Sequence, residues 1–334
     1  MSASPSISSS LSGPPPAARA AAPVLAVGSV AFDSIRTPRG SAERVLGGSA
    51  TYFALAASQF APVRVVGVVG EDFGAEHENV FRERGIDIQG LERAAGKSFF
   101  WAGEYEADPN IRHTLTTELN VFAAFSPKLP AGYADSPVLF LGNIDPALQC
   151  QVRGECRRAQ IVGGDTMNYW ISSQPAQVKA FLRGVDMLII NDGEARELTG
   201  EANLTRAGRQ ILTLGPRAVV IKRGEHGASL YTAGGGYFAV PAYPLPEVCD
   251  PTGAGDSFAG GVMGYLAQQP QLGLEEPVTA GQEAVLRRAV VYGSVMGSFA
   301  CERFGVERLR ELNAAAVRQR YEEFRQLTHF TDDH

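Results

Sequence analysis

From Val24 onward the chain alternates between short apolar runs and segments of helical spacing, and this rhythm narrows the fold more than any other feature. Six runs read as strands: 24–30 (VLAVGSV), 63–70 (VRVVGVVG), 138–144 (VLFLGNI), 160–165 (QIVGGD), 186–192 (DMLIIND) and 217–224 (RAVVIKRG). Most are apolar without interruption, as strands covered on both faces must be. Helices are expected at 49–60, 73–84, 147–158, 175–183, 193–200 and 203–213. Such alternation predicts an α/β fold, a mainly parallel sheet with helices on both faces. Ligands of these sheets bind beyond the carboxyl ends of the strands. Asp33, Asn143, Asp165, Asn191 and Lys222 fall at those ends.

Two segments break the rhythm, 34–46 (SIRTPRGSAERVL) and 97–125, which alternates like strands around a turn at ADPN. The second has no room for a crossover helix, and both are expected as antiparallel strands of a small lid, with an ordinary hairpin on a sheet edge as the alternative. The lid aromatics Phe99, Phe100, Trp101 and Tyr105 could serve as lid core, as contacts between copies or as a stacking surface for substrate. The first 22 residues are rich in Ser, Pro and Ala and lack the pattern of a secretory signal, so a disordered tail is expected there. Residues 23–330 are expected to form one domain with the lid inserted.

A net charge of −6 over 334 residues lacks the basic footprint of a nucleic-acid binder. No apolar run reaches the ~18 residues of a membrane span. The four cysteines form no CxxC pair and read as reduced thiols of a cytoplasmic protein. The five histidines, His77, His113, His226, His329 and His334, lack metal-ligand spacing.

The stretch DPTGAGDSFAGG, Asp250 to Gly261, opens a helix whose apolar residues Phe258, Val262, Tyr265 and Leu266 recur at helical spacing. Ala259, Gly260, Gly261 and Gly264 are small, which predicts close packing against a neighbouring helix. Gly253, Ala254 and Gly255 then place free N–H groups at the helix N-terminus, a ready anion site. No lysine follows as in a P-loop, and Phe258 stands where a dinucleotide fingerprint needs its third glycine. Asp256, held ionised by the helix dipole, can take the proton of a hydroxyl lying between it and a bound phosphate. That arrangement suits phosphoryl transfer. On the residues alone it is also what a plain N-cap looks like. Likewise, NDGE (Asn191 to Glu194) is also a helix start, and the Gly47–Gly48 pair a helix-entry turn with Ser49 as N-cap.

DPTGAGD resembles the carboxy-terminal signature of the PfkB (ribokinase-like) family of carbohydrate kinases. GSVAFD (28–33), GGSATYFALAAS (47–58), VVGVVGEDFG (65–74), NDGE, KRGEHG (222–227) and SFACERFG (298–305) resemble further family segments in the same order. The resemblance implies a ribokinase-like three-layer α/β/α fold with a β-strand lid. It implies an ATP- and Mg²⁺-dependent transfer of phosphate to a hydroxyl of a sugar or sugar-like molecule, with Asp256 as base and Gly253, Ala254 and Gly255 as anion hole. It assigns Asp33, Gly47 and Gly48 to the acceptor. Asn191 and Glu194 go to Mg²⁺, and Lys222, Gly224, Asn191 and Asp250 to the nucleotide, with Asp165 in reach of metal or phosphates. It admits a monovalent cation such as K⁺ and a homodimer through the lid.

Two positions depart from the family pattern. Tyr52 stands where many members carry an asparagine that contacts the sugar, and a phenol cannot reproduce an amide's donor and acceptor pair. Lys222 stands where threonine is common. The acceptor is therefore open between a sugar and a nucleoside, and a non-catalytic protein that binds ATP or sugar remains an alternative.

Overall fold

Residues 20–271 and 273–329 are described by a computed structural model. Most of the tail expected over 1–22 thus lies outside the described residues, as do residues 272 and 330–334, His334 among them. Ala21 and Ala22 already pack on the core, and the Ala22 amide donates to the Ala267 carbonyl at 2.8 Å.

The strands in chain order are β1 (Val24–Val27), β2 (Ala31–Thr37), β3 (Gly40–Gly47), β4 (Val63–Val69), β5 (Asp87–Arg93), β6 (Phe99–Tyr105), β7 (Arg112–Glu118), β8 (Val138–Leu141), β9 (Ile161–Gly164), β10 (Met187–Asn191), β11 (Ala218–Lys222), β12 (Ala228–Thr232) and β13 (Tyr237–Val240). The α-helices are α1 (Ser49–Ala57), α2 (Ala75–Glu83), α3 (Pro146–Glu155), α4 (Asn168–Ser173), α5 (Pro175–Leu182), α6 (Asp192–Thr199), α7 (Leu204–Leu212), α8 (Ala254–Leu266), α9 (Ala280–Ala300), α10 (Glu307–Glu311) and α11 (Ala314–Thr328).

The main sheet runs β13-β12-β11-β10-β9-β8-β1-β4-β5. It is parallel from β11 to β5, and β12 and β13 add an antiparallel edge. Successive residues of a strand face opposite sides. Val24 and Ala26 accordingly join one apolar layer with α1, α2, α8, α9, α10 and α11, while Leu25 and Val27 join the other with α3, α5, α6 and α7. These are the three layers. Among the described residues, no helix is long and apolar enough to cross a membrane.

The strand expected over 24–30 stops at Val27 because the chain leaves the sheet there. Ser29 and Ser49 exchange amide-to-hydroxyl bonds of 3.2 and 3.0 Å, which pins the turn to the start of α1. The lid strand expected from residue 34 consequently begins at Ala31. The lid itself runs β3-β2-β6-β7. Its two hairpins are antiparallel, but its central pair, β2 with β6, is parallel.

The small residues of α8 do allow close approach. A Cβ on Gly260 would lie 2.4 Å from the Phe53 carbonyl oxygen of α1, and one on Gly261 would lie 2.6 Å from the Tyr292 carbonyl oxygen of α9. Two neighbours therefore press on the helix that begins at the glycine loop.

Candidate active site

The loop before α8 is fixed by Asp250. This carboxylate has no exposed surface, and it accepts the Thr252 amide at 2.8 Å and the Gly305 amide at 2.9 Å. The chain then turns through Gly253, whose φ of 71° is left-handed and whose Cα lies flat against the Tyr52 ring. A Cβ there would meet that ring at 2.2 Å, so glycine is required twice over. Among the described residues, the Gly253 and Gly255 amides donate to no protein acceptor. The Ala254 amide differs from expectation: it donates to the Pro251 carbonyl, at a long 3.3 Å. Two of the three expected amides thus face the cleft unspent at a helix N-terminus.

Asp256 lies in the first turn of α8 and keeps part of its surface open to the cleft. The expectation that the helix dipole holds it ionised is corrected. Burial, with the charge of Asp165 added, outweighs Lys222 and the hydrogen bond from the residue's own amide and lifts its carboxyl to about 7. Asp33, on β2, is 5% exposed and lies against the Cα of Gly47, where a Cβ would meet its Oδ2 at 1.9 Å. Burial, then the charges of Asp250 and Asp256, raise it to about 8, against a hydrogen bond from the Gly48 amide. Gly48, not Ser49, is the N-cap of α1, at a φ of 92°.

On the other side of the loop stand the ends of β9, β10 and β11. Asp165 accepts the Thr166 amide at 2.7 Å and lies 3.9 Å from Lys222 Nζ. Asn191 and Glu194 form a reciprocal capping box for α6, with both bonds at 2.8 Å. The helix-start reading of NDGE is therefore present in the structure, and one Glu194 oxygen is committed to it. The same carboxyl is 7% exposed and is raised to about 8 by burial and by Asp165. Asn143 is spent elsewhere, on the Trp170 indole at 3.0 Å. The space over Gly224 is taken by the lid: a Cβ there would lie 2.0 Å from Asn110 Oδ1.

The lid brings further contributors: Trp101 and Tyr105, which the sequence offered as lid aromatics, and Arg112, which gave no sequence signal. The register of β2 with β6 sets Asp33 level with Trp101 and Ile35 level with Gly103, so Trp101 and Tyr105 share the face of Asp33. Thr252 donates to Tyr105 Oη at 3.1 Å, joining lid to loop. Arg112 lies 5.5 Å above the Trp101 ring, and its charge bears on Tyr105 and Glu194. Phe99 instead stacks on Phe122 at 5.2 Å, and Phe100 packs on the main core. Tyr52, which departs from the family pattern, is 1% exposed, and its hydroxyl is buried without a hydrogen-bond partner.

One cleft beyond the strand ends therefore gathers Asp33, Asp165, Glu194, Asp256 and Lys222 beside two unspent amides. Residues 22–311 match the family model described as "pfkB family carbohydrate kinase". A cytidine kinase of Thermococcus kodakarensis is 29% identical over 267 residues, covering 78% of this chain and 93% of that one. A nucleoside kinase of Burkholderia thailandensis, solved with inosine, superposes with a TM-score of 0.70 at 20% identity, over 90% of this chain and 98% of that one. A putative ribokinase II from E. coli, solved with ATP and Mg²⁺, gives a TM-score of 0.69 at 20% identity, over 92% and 99%. Spanning nearly all of the described residues, the family match places this chain in the pfkB family of carbohydrate kinases, phosphotransferases that act on hydroxyl groups.

Proposed function

We propose that this protein transfers the terminal phosphoryl group of ATP to a hydroxyl of a sugar or of the sugar part of a nucleoside, with Asp256 taking the hydroxyl proton. The observation that carries the reading is the convergence of Asp256, the unspent Gly253 and Gly255 amides and the buried Asp33 in one cleft. In this reading Asp33 and the Gly47–Gly48 backbone hold the acceptor, and Asp256 faces the reacting hydroxyl. The two amides take up charge on the phosphoryl oxygens, as phosphoryl transfer requires. Lys222 and Gly224 lie toward the nucleotide, and Asp250 keeps the loop in shape.

The residues present fit a divalent cation. Three carboxyls, Asp165, Glu194 and Asp256, are raised by burial, and the charge of Asp165 raises the other two, so a cation beside them would relieve their repulsion. That suits Mg²⁺, which keeps its waters and binds through one or two carboxylates plus substrate phosphates. Asn191, Glu194 and Asp165 would hold it through water. When bound, the ion neutralises phosphate charge. The chain's own groups orient the acceptor, exclude water and move the proton.

A nucleoside acceptor is favoured by two observations. The relative matched over 267 residues is a cytidine kinase. Trp101 and Tyr105 also present rings on the face that carries Asp33. The test is phosphate transfer from Mg·ATP to pentoses, hexoses, keto-acids, inositols, cytidine and inosine. Transfer to one of the nucleosides and not to free pentoses supports the nucleoside form. A preparation that binds ATP and phosphorylates none of them would overturn the kinase reading in favour of a binding protein.

A further inference from the structure

Lys222 ends β11, and its stem is buried between the sheet and α8, yet its ammonium is spent on nothing strong. Its ion pair with Asp165 spans 3.9 Å, beyond the ~2.7–2.9 Å of a charge-assisted hydrogen bond. Among the described residues this ion pair is beyond hydrogen-bond distance, and Lys222 Nζ has no shorter polar partner. The ammonium lies against the anion loop, because a Cβ on Gly255 would come within 2.9 Å of Nζ. Its side chain is 17% exposed and Asp165's 10%, so the pair sits in the cleft and not on the surface. A purely structural ion pair this deep would be expected to close to hydrogen-bond distance, since burial without such bonds is costly. Three donors left open beside two unspent amides describe a site for an oxyanion.

We infer that Lys222 is a further catalytic group: its ammonium, held by Asp165 beside Gly255, takes up the negative charge of the phosphoryl group in transit. The inference rests on the kinase reading above and adds to it a cation supplied by the fold. The charges of Asp165, Glu194 and Asp256 around the ammonium outweigh its burial and keep it protonated. In the step, the acceptor oxygen bonds to the γ-phosphorus while its proton passes to the Asp256 carboxylate. The bond from the γ-phosphorus to the bridging oxygen breaks, and ADP leaves with that electron pair. Lys222 neither gains nor loses a proton. It lowers the energy of the charge spread over the three equatorial oxygens.

The test uses Lys222→Met and Gly255→Ala in the full chain. The first removes the charge. The second keeps it but pushes the flexible end of the side chain aside, at a helical position with no left-handed backbone. Binding of Mg·ADP with and without fluoroaluminate, which mimics the planar phosphoryl group, is measured by calorimetry, alongside turnover. Lys222→Met is expected to weaken the fluoroaluminate complex about 10²–10³-fold and to lower kcat by a similar factor, with Mg·ADP affinity within about threefold of the parent. Gly255→Ala should follow in the same direction with a smaller loss. Equal losses in both complexes would make Lys222 a nucleotide-binding group only and overturn the inference. So would a kcat loss that disappears near pH ~9, because it would then report a proton trapped on Asp256. The binding measurement needs no acceptor, so failure of the parent to phosphorylate anything would count against the kinase reading alone.

Discussion

At the scale of single residues the site is a contest between burial and charge. Asp256→Asn keeps the shape of the side chain but cannot accept a proton. It is expected to lower turnover about 10²–10⁴-fold with ATP affinity nearly unchanged, the usual scale for an acid–base group. Steady-state kinetics beside ATP calorimetry would check this, and wild-type turnover would remove Asp256 from its role. The parent's kcat/KM should rise with pH through about 7, because the carboxyl must lose its proton first. Asp33 gives the matching stability effect. Its carboxyl, ordinarily near 3.8, is raised to about 8 by burial and by Asp250 and Asp256. The folded state thus binds this proton more tightly than the unfolded state. The stabilisation is complete below the unfolded value and is lost as pH rises through the folded one. Melting temperature of the ligand-free protein should therefore fall between about pH 5 and about pH 8.5, and Asp33→Asn should flatten that fall. Parallel melting curves that keep the same slope would exclude Asp33 as its source.

At the scale of elements, the helix that carries Asp256 is positioned by what it lacks. Gly260 lets α8 touch the α1 backbone, and a methyl there would lie 2.4 Å from a carbonyl oxygen that cannot move alone. Gly260→Ala should destabilise the protein by about 1–3 kcal/mol in urea unfolding and lower turnover as well, since α8 must shift. A variant of unchanged stability would show that the contact is not tight. The same elements show what the sequence could and could not say. The buried strands and α1, α3, α5, α6 and α7 were legible within a few residues. An uninterrupted apolar run between turns needs cover on both faces, and helical spacing needs one apolar face to bury. Strand β5 was not legible. It lies at the sheet edge, where DIQGLER mixes polar and apolar residues. The glycine loop was legible as a helix start with bare backbone because glycines leave their mark in composition. The rise of Asp256 to about 7 was not, since the dipole is local while burial depends on the whole fold. The bond between Tyr105 and Thr252, Arg112 and the place of Lys222 beside Gly255 arise from strand register and packing between distant segments, for which no local pattern exists.

At the scale of the whole molecule, the lid touches both halves of the cleft. Thr37 donates to the Cys249 carbonyl at 2.9 Å and Thr252 to Tyr105 at 3.1 Å, on the anion-loop side. Asn110, at the lid tip, donates to Glu225 at 2.5 Å, on the turn after β11 where the nucleotide is proposed to lie. In the proposed reading, this pair of hairpins would close over both substrates and exclude the water that would otherwise take the phosphoryl group. Breaking a contact should loosen closure without harming the core, because Asn110 is exposed and Tyr105→Phe removes only an oxygen. At about 1 kcal/mol per lost hydrogen bond, each change should shift the closed state about fivefold. The double variant Tyr105→Phe with Asn110→Ala should then release more ADP than phosphorylated acceptor, because ATP is lost to water. Measuring both products in one reaction checks this directly. A strict one-to-one ratio in the double variant would mean that these contacts do not govern access of water, and that the lid is held shut by the acceptor itself.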